Sequence, residues 1–106
     1  MDSPVMIASD VQLDDRTVMR VAEIFSALSD PSRIRIIASL RDAERHVGAL
    51  AEMAGLSESA VSHHLRNLRQ LRIVKARRDG RQIFYSLDDE HIADLFQRSL
   101  EHVLHG

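Results

Sequence analysis

The sequence has 106 residues, 44% of them hydrophobic and 28% charged, which is the composition of one small globular domain. It has no cysteine, which excludes disulfide frameworks, thiolate metal sites and cysteine nucleophiles. No apolar run reaches membrane-spanning length and the N-terminus has no targeting pattern, so a cytoplasmic protein is the expectation.

The net charge of −2 has the wrong sign for a nucleic-acid binder. Resolved along the chain, it divides sharply. Residues 1–30 hold six acids and two bases, residues 31–56 three and four, residues 57–81 two and seven, and residues 82–106 five and one. The middle is a basic island carrying Arg66, Arg69, Arg72, Lys75, Arg77, Arg78 and Arg81.

Residues 1–12 lack a hydrophobic period and are expected to form a flexible arm ahead of a domain over 13–106. Asp14 or Asp15 is placed to cap a first helix whose Val18, Val21, Ala22, Ile24, Phe25 and Leu28 recur at helical spacing. Asp30-Pro31 starts a second helix, with Ile34, Ile37, Ala38 and Leu40 on its apolar face. After the polar stretch Asp42 to Arg45, a short helix from Val47 buries Val47, Leu50, Ala51 and Ala54 and ends at Gly55. Ser57 caps the next helix, whose inner stripe is Val61, Leu65, Leu68 and Leu71.

The period then changes to two. Asp79-Gly80 predicts a hairpin loop that sets Arg78 opposite Arg81, Ala76 opposite Ile83 and Val74 opposite Tyr85. One face carries Val74, Ala76, Ile83, Tyr85 and Leu87, and the other Lys75, Arg77, Gln82 and Phe84. A final helix over 89–105 has a wide stripe of Ile92, Leu95, Phe96, Leu100, Val103 and Leu104. The fold expected is mainly α with a β-hairpin wing: a winged helix-turn-helix, with its helix-turn-helix over about 47–71 and its wing over 73–87.

Shape and charge coincide on this unit. Ser59, Ser62, His63, Arg66 and Arg69 face outward on the second helix, where small hydroxyls allow close approach to base edges and arginines reach bases or phosphates. Together with Ser57 at the helix start and Lys75, Arg77, Arg78 and Arg81 on the wing, they form the candidate surface for double-stranded DNA. Attraction to a polyanion acts locally, so acidic segments elsewhere do not cancel it.

The runs ALSDPSRIRIIASL (Ala27 to Leu40) and LSESAVSHHLRNLRQLRIVKARRDGRQIFYSL (Leu56 to Leu87) resemble the ArsR/SmtB family of bacterial metal-responsive repressors. The resemblance covers roughly residues 16–105. It implies a homodimer, joined through the first and last helices, that binds an inverted-repeat operator and releases it when metal binds. Two departures stand out. Arg72 occupies a position where the family often has glycine, and Val47 to Ala51 lacks the cysteine motif of the arsenic, cadmium and lead sensors.

His91, His102 and His105 share one face of the last helix, but eleven residues separate its ends by roughly 16 Å, too far for one ion. Two antiparallel copies would bring Asp89 and His91 of one to His102 and His105 of the other. Three imidazoles and a carboxylate suit Zn2+, with Co2+ or Ni2+ as alternatives. The family's C-terminal-helix sensor site is similar at all four positions. An ideal helix aims Asp89 about 160° away from His91, so the two converge only if Asp89 stands at or before the cap. Of the other histidines, His46 is expected in solvent, His63 toward DNA or the joint with the last helix, and His64 partly packed. A hydrogen bond from His91 or His102 toward the recognition helix would connect metal to DNA.

Two rivals come from other classes. One is a winged-helix regulator with no metal inducer, in which the histidines are incidental. The other is a zinc hydrolase, against which stand the four protein donors and the absence of a His-Glu-x-x-His helix. Hydrolysis through Ser62 and His63 is weaker still, since adjacent helical residues point apart. A regulator, not an enzyme, is therefore expected.

Overall fold

Each helix begins where the sequence supplies an acceptor for its free N–H groups. The protein is described here from a computed structural model, which covers residues 13–106 in full and the backbone of 5–6 and 12. Helix α1 (Asp15–Leu28) is capped by Asp14, which accepts from the Thr17 N–H at 2.8 Å. Helix α2 (Pro31–Leu40) is capped by Asp30 and has proline at its first position. Ser57 caps α4 (Glu58–Gln70) by accepting from the Ala60 N–H at 3.1 Å, and Asp89 caps α5 (Glu90–His105). Helix α3 (Val47–Ala54) closes on Gly55 at φ 70°, the left-handed conformation that glycine adopts without strain.

The cap of α3 corrects an expectation. His46, placed in solvent from sequence, is half-buried, and its Nδ1 accepts from the Ala49 N–H at 3.2 Å. Its backbone belongs to a short strand that periodicity missed. Strands β1 (Val5–Met6) and β2 (Gln12–Leu13) pair antiparallel, joining the expected arm to Leu13 at the start of the domain; the other residues of the arm lie outside those described. Strand β3 (Arg45–His46) pairs with β5 (Gln82–Leu87), which also pairs with β4 (Val74–Asp79), so the wing is a three-stranded antiparallel sheet in the order β3-β5-β4.

The hairpin register also differs. Asp79 pairs with Gln82, Arg78 with Ile83, Ala76 with Tyr85 and Val74 with Leu87. The loop is therefore Gly80-Arg81, not Asp79-Gly80. Gly80, at φ 63°, takes the first central position, and Arg81 keeps a negative φ, the combination of a type II′ turn. Because pairing shifted by two residues, the side-chain faces survive unchanged.

The core joins α1 through Ala27, α2 through Ile36, Ile37 and Leu40, α3 through Leu50, Ala51 and Ala54, and α4 through Val61, Leu65 and Leu68. Ile73 and Val74 close it beneath the sheet. Ile36 lies outside the apolar face predicted for α2, yet is fully buried, because α2 is covered on more than one side. Helices α1 and α5 differ from this pattern. Val18, Val21 and Phe25 of α1 stay exposed, and α5 has no fully buried residue, with Val103 and Leu104 at 79% and 63% exposure. Among the described residues, no helix is long and apolar enough to cross a membrane.

Candidate nucleic-acid interface and metal-ligand positions

Helix α3, the Gly55-Leu56-Ser57 turn and α4 form a helix-turn-helix, with the sheet following directly. Burying Val61, Leu65 and Leu68 rotates the opposite face of α4 outward. Ser57, Ser59, Ser62, His63, Arg66 and Arg69 are all exposed, as are Lys75, Arg77, Arg78 and Arg81 on the wing. Ser62, Arg66 and Arg69 line a cleft with Gln70 and Tyr85. The last two were not singled out from sequence. Tyr85 shares the sheet face of Val74 and Ala76, and what brings it to the cleft is the packing of the sheet against α4.

The wing cations are not equivalent. Arg77 donates from Nε to Glu44 Oε2 at 3.2 Å and from Nη2 to Oε1, and its guanidinium stacks 5.2 Å from the Phe84 ring centre. The hydrogen bonds from Arg77 hold the Glu44 carboxyl below its usual range. Phe84 also packs against His46 in a T-shaped pair, with ring centres 6.0 Å apart. Arg77 thus ties the wing to the loop before β3, whereas Arg78 and Arg81 have no carboxylate partner among the described residues.

Two further sites shape the recognition helix. Its C-terminus is a Schellman closure, with the Ile73 N–H on Leu68 O at 2.9 Å and the Arg72 N–H on Arg69 O at 3.0 Å. Arg72 therefore sits at φ 60°, the conformation that suits glycine. On the side of α4 facing α2, Arg33 donates from Nε to His64 Nδ1 at 3.1 Å. Burial pushes the His64 imidazole below its ordinary value, with Asp30 opposing and Arg33 and His63 reinforcing.

Asp89 stands at the cap of α5, where its Oδ1 accepts from the His91 and Ile92 N–H groups at 2.8 and 3.2 Å. The N–H of Ile92, then that of His91, holds its carboxyl below the usual range. With Asp89 extended (φ −151°, ψ 176°), its Oδ1 comes 3.5 Å from His91 Nδ1. His102 and His105 occupy the last turn at the other end, exposed. Within the single chain, no three metal-compatible side chains gather among the described residues, as the length of α5 dictates. No side-chain hydrogen bond among the described residues runs from His91 or His102 to α4.

This arrangement recurs in known proteins. Residues 30–76 match the profile of bacterial regulatory proteins of the arsR family. The chain is 44% identical over 93 residues to the HTH-type transcriptional regulator NmtR of Mycobacterium tuberculosis, covering 88% of this chain and 78% of that one. It belongs to the arsR family.

It is also 49% identical over 84 residues to a transcriptional repressor SmtB homolog of Synechocystis, covering 79% of this chain and 64% of that protein's length. Among solved structures, apo-NmtR shares 43% identity at a TM-score of 0.76, over 91% of this chain and 81% of that one. The homodimeric winged helix-turn-helix DNA-binding domain from Mycobacterium bovis shares 31% at 0.77, over 88% and 93%. These relatives are transcriptional regulators and not enzymes, and in this arsR-family chain the winged helix is the common element.

Proposed function

We propose that this chain is a metal-responsive transcriptional repressor that acts as a homodimer on an inverted-repeat DNA operator. The observation that carries the metal reading is the convergence of Asp89 and His91 at one end of α5, with His102 and His105 unencumbered at the other. The exposed apolar residues of α1 and α5, Val18, Val21, Phe25, Val103 and Leu104, are the natural faces for a second copy.

In the dimer, two α4 helices spaced about 34 Å apart enter successive major grooves, with Ser59, Ser62, His63, Arg66 and Arg69 toward the bases and Ser57 at the helix start. Lys75, Arg78 and Arg81 meet the backbone, and Arg77 holds the wing in place. Asp89 and His91 of one copy with His102 and His105 of the other fit Zn2+, and also Co2+; Ni2+ prefers more donors. The ion would cross-link two α5 helices in an arrangement that no longer matches the operator spacing. Metal and DNA weaken one another by the same factor, typically about 5- to 150-fold. Efflux or homeostasis of the same metal is the process such a repressor would control.

DNA binding of wild type and of a His102→Ala/His105→Ala variant, each with and without zinc, tests this reading. Zinc is expected to release wild type and not the variant. Release that survives in the variant rejects the α5 site. An operator affinity indifferent to zinc, cobalt and nickel leaves a winged-helix regulator without a metal inducer.

A further inference from the structure

The side chains assigned to DNA lie on the outer face of α4, but the seating of α4 depends on its inner side. There, among the described residues, the Arg33–His64 bond is the only side-chain hydrogen bond that reaches α4 from another helix or strand. Both side chains are largely enclosed, at 20% and 16% exposure. Asp30 completes the cluster, with Oδ2 at 3.7 Å from Arg33 Nε and 3.8 Å from His64 Nδ1, while its Oδ1 accepts the Ser32 N–H. Because Nδ1 accepts from Arg33, the neutral ring carries its proton on Nε2.

We propose that Arg33 and His64 are positioning residues that seat the recognition helix for DNA, and that the joint holds only while His64 is neutral, so operator affinity falls when His64 takes a proton. The inference rests on the DNA-binding reading. Protonation fills the Nδ1 lone pair, removes the acceptor for Arg33 Nε and sets two cations side by side.

Among the described residues, the groups that face this ring are few. Helix α2 presents Arg33 and Asp30, α4 itself presents His63 with ring centres 6.0 Å apart, and Glu23 of α1 lines the crevice that Arg33 shares with Asn67. Asp30 alone favours the charged ring directly, and it already caps α2. Burial, with Arg33 and His63 beside the ring, opposes it and prevails. His63 provides an internal contrast. It is exposed on the DNA face and takes no part in the bond to Arg33, so replacing it leaves the joint in place.

The test is operator affinity of the full chain from about pH 8 to about pH 5.5, in EDTA and at constant ionic strength, on a duplex recovered by wild type from a randomised pool. His64→Gln keeps an oxygen acceptor for Arg33 and cannot titrate. Wild type is expected to weaken about three- to tenfold on acidification, the net worth of one hydrogen bond. His64→Gln should match wild type at the upper pH and lose that fall, and His63→Gln should keep it. Equal acid dependence in wild type and His64→Gln overturns the proposal, as does a folded His64→Gln that binds poorly at the upper pH. Should His64→Gln not fold, imidazole nitrogen NMR of His63→Gln decides. An Nε2–H tautomer whose titration coincides with the loss of affinity supports the joint, and an Nδ1–H tautomer or a mismatch overturns it. Failure of wild type to select any duplex rejects the DNA reading itself, a distinct result.

Discussion

Asp89 Oδ1 lies 3.5 Å from His91 Nδ1, although residues two apart on a helix point about 160° from each other. They meet because Asp89 is the extended N-cap of α5 and so escapes the helical rotation. One carboxylate oxygen thereby does two jobs, capping α5 and standing beside a histidine ring.

Substitutions at Asp89 separate those jobs. Asp89→Ser keeps a cap acceptor and should leave the melting temperature of the metal-free protein unchanged, while lowering zinc affinity at least tenfold in a chelator competition. Asp89→Ala should lose both, with melting lowered by several degrees. Equal zinc affinity in wild type and Asp89→Ser would remove Asp89 from the ligand set.

Arg72 at φ 60° occupies the left-handed position of the Schellman closure. Relieving that strain outweighs the added freedom of glycine in the unfolded chain, so Arg72→Gly should stabilise the protein by about 1 kcal/mol. At fixed protomer concentration this corresponds to a rise in melting temperature of roughly 4 °C or more. A drop in melting temperature would show that the Arg72 side chain makes a compensating contact.

The wing cations should differ in the salt dependence of DNA binding. Arg78→Ala and Arg81→Ala are each expected to reduce the slope of log K against log salt by about 0.9. Arg77→Ala should reduce it less, because Glu44 already holds that guanidinium. Glu44→Gln frees Arg77 and should steepen the slope. Three identical slope changes for the three arginines would mean that the Glu44 pair opens on DNA.

Stability should fall in two acid steps. The folded value of His64 lies below its unfolded value of about 6.5, so in that interval the unfolded chain binds more protons. The stability is complete above about pH 6.5 and is lost as pH falls toward the folded value. Asp14 and Glu44, held below their ordinary 3.8 and 4.5 by hydrogen bonds, contribute stability present above those values and lost as pH falls through the depressed ones. Melting temperature followed against pH should show both steps in wild type and only the second in His64→Gln.

Local patterns account for much of this molecule. The caps at Asp14, Asp30 and Ser57 and the stop at Gly55 stand where their side-chain chemistry places them, since a helix end is satisfied within a few residues. The helical spacing of Val61, Leu65 and Leu68 turns the basic face of α4 outward for the same reason: a period is a local property that assigns faces.

What a period cannot assign is the partner across a face. The Gly80-Arg81 loop, the pairing of β3 with β5, the burial of Ile36 and the capture of Arg77 by Glu44 from 33 positions away all depend on how separate elements dock. So does the division of one apolar stripe on α5, where Ile92 and Phe96 pack on the core while Val103 and Leu104 remain free for a neighbour. The spacing of α5 histidines is written in the chain, and the cap geometry that turns Asp89 toward His91 is fixed by where the last strand hands over to the helix.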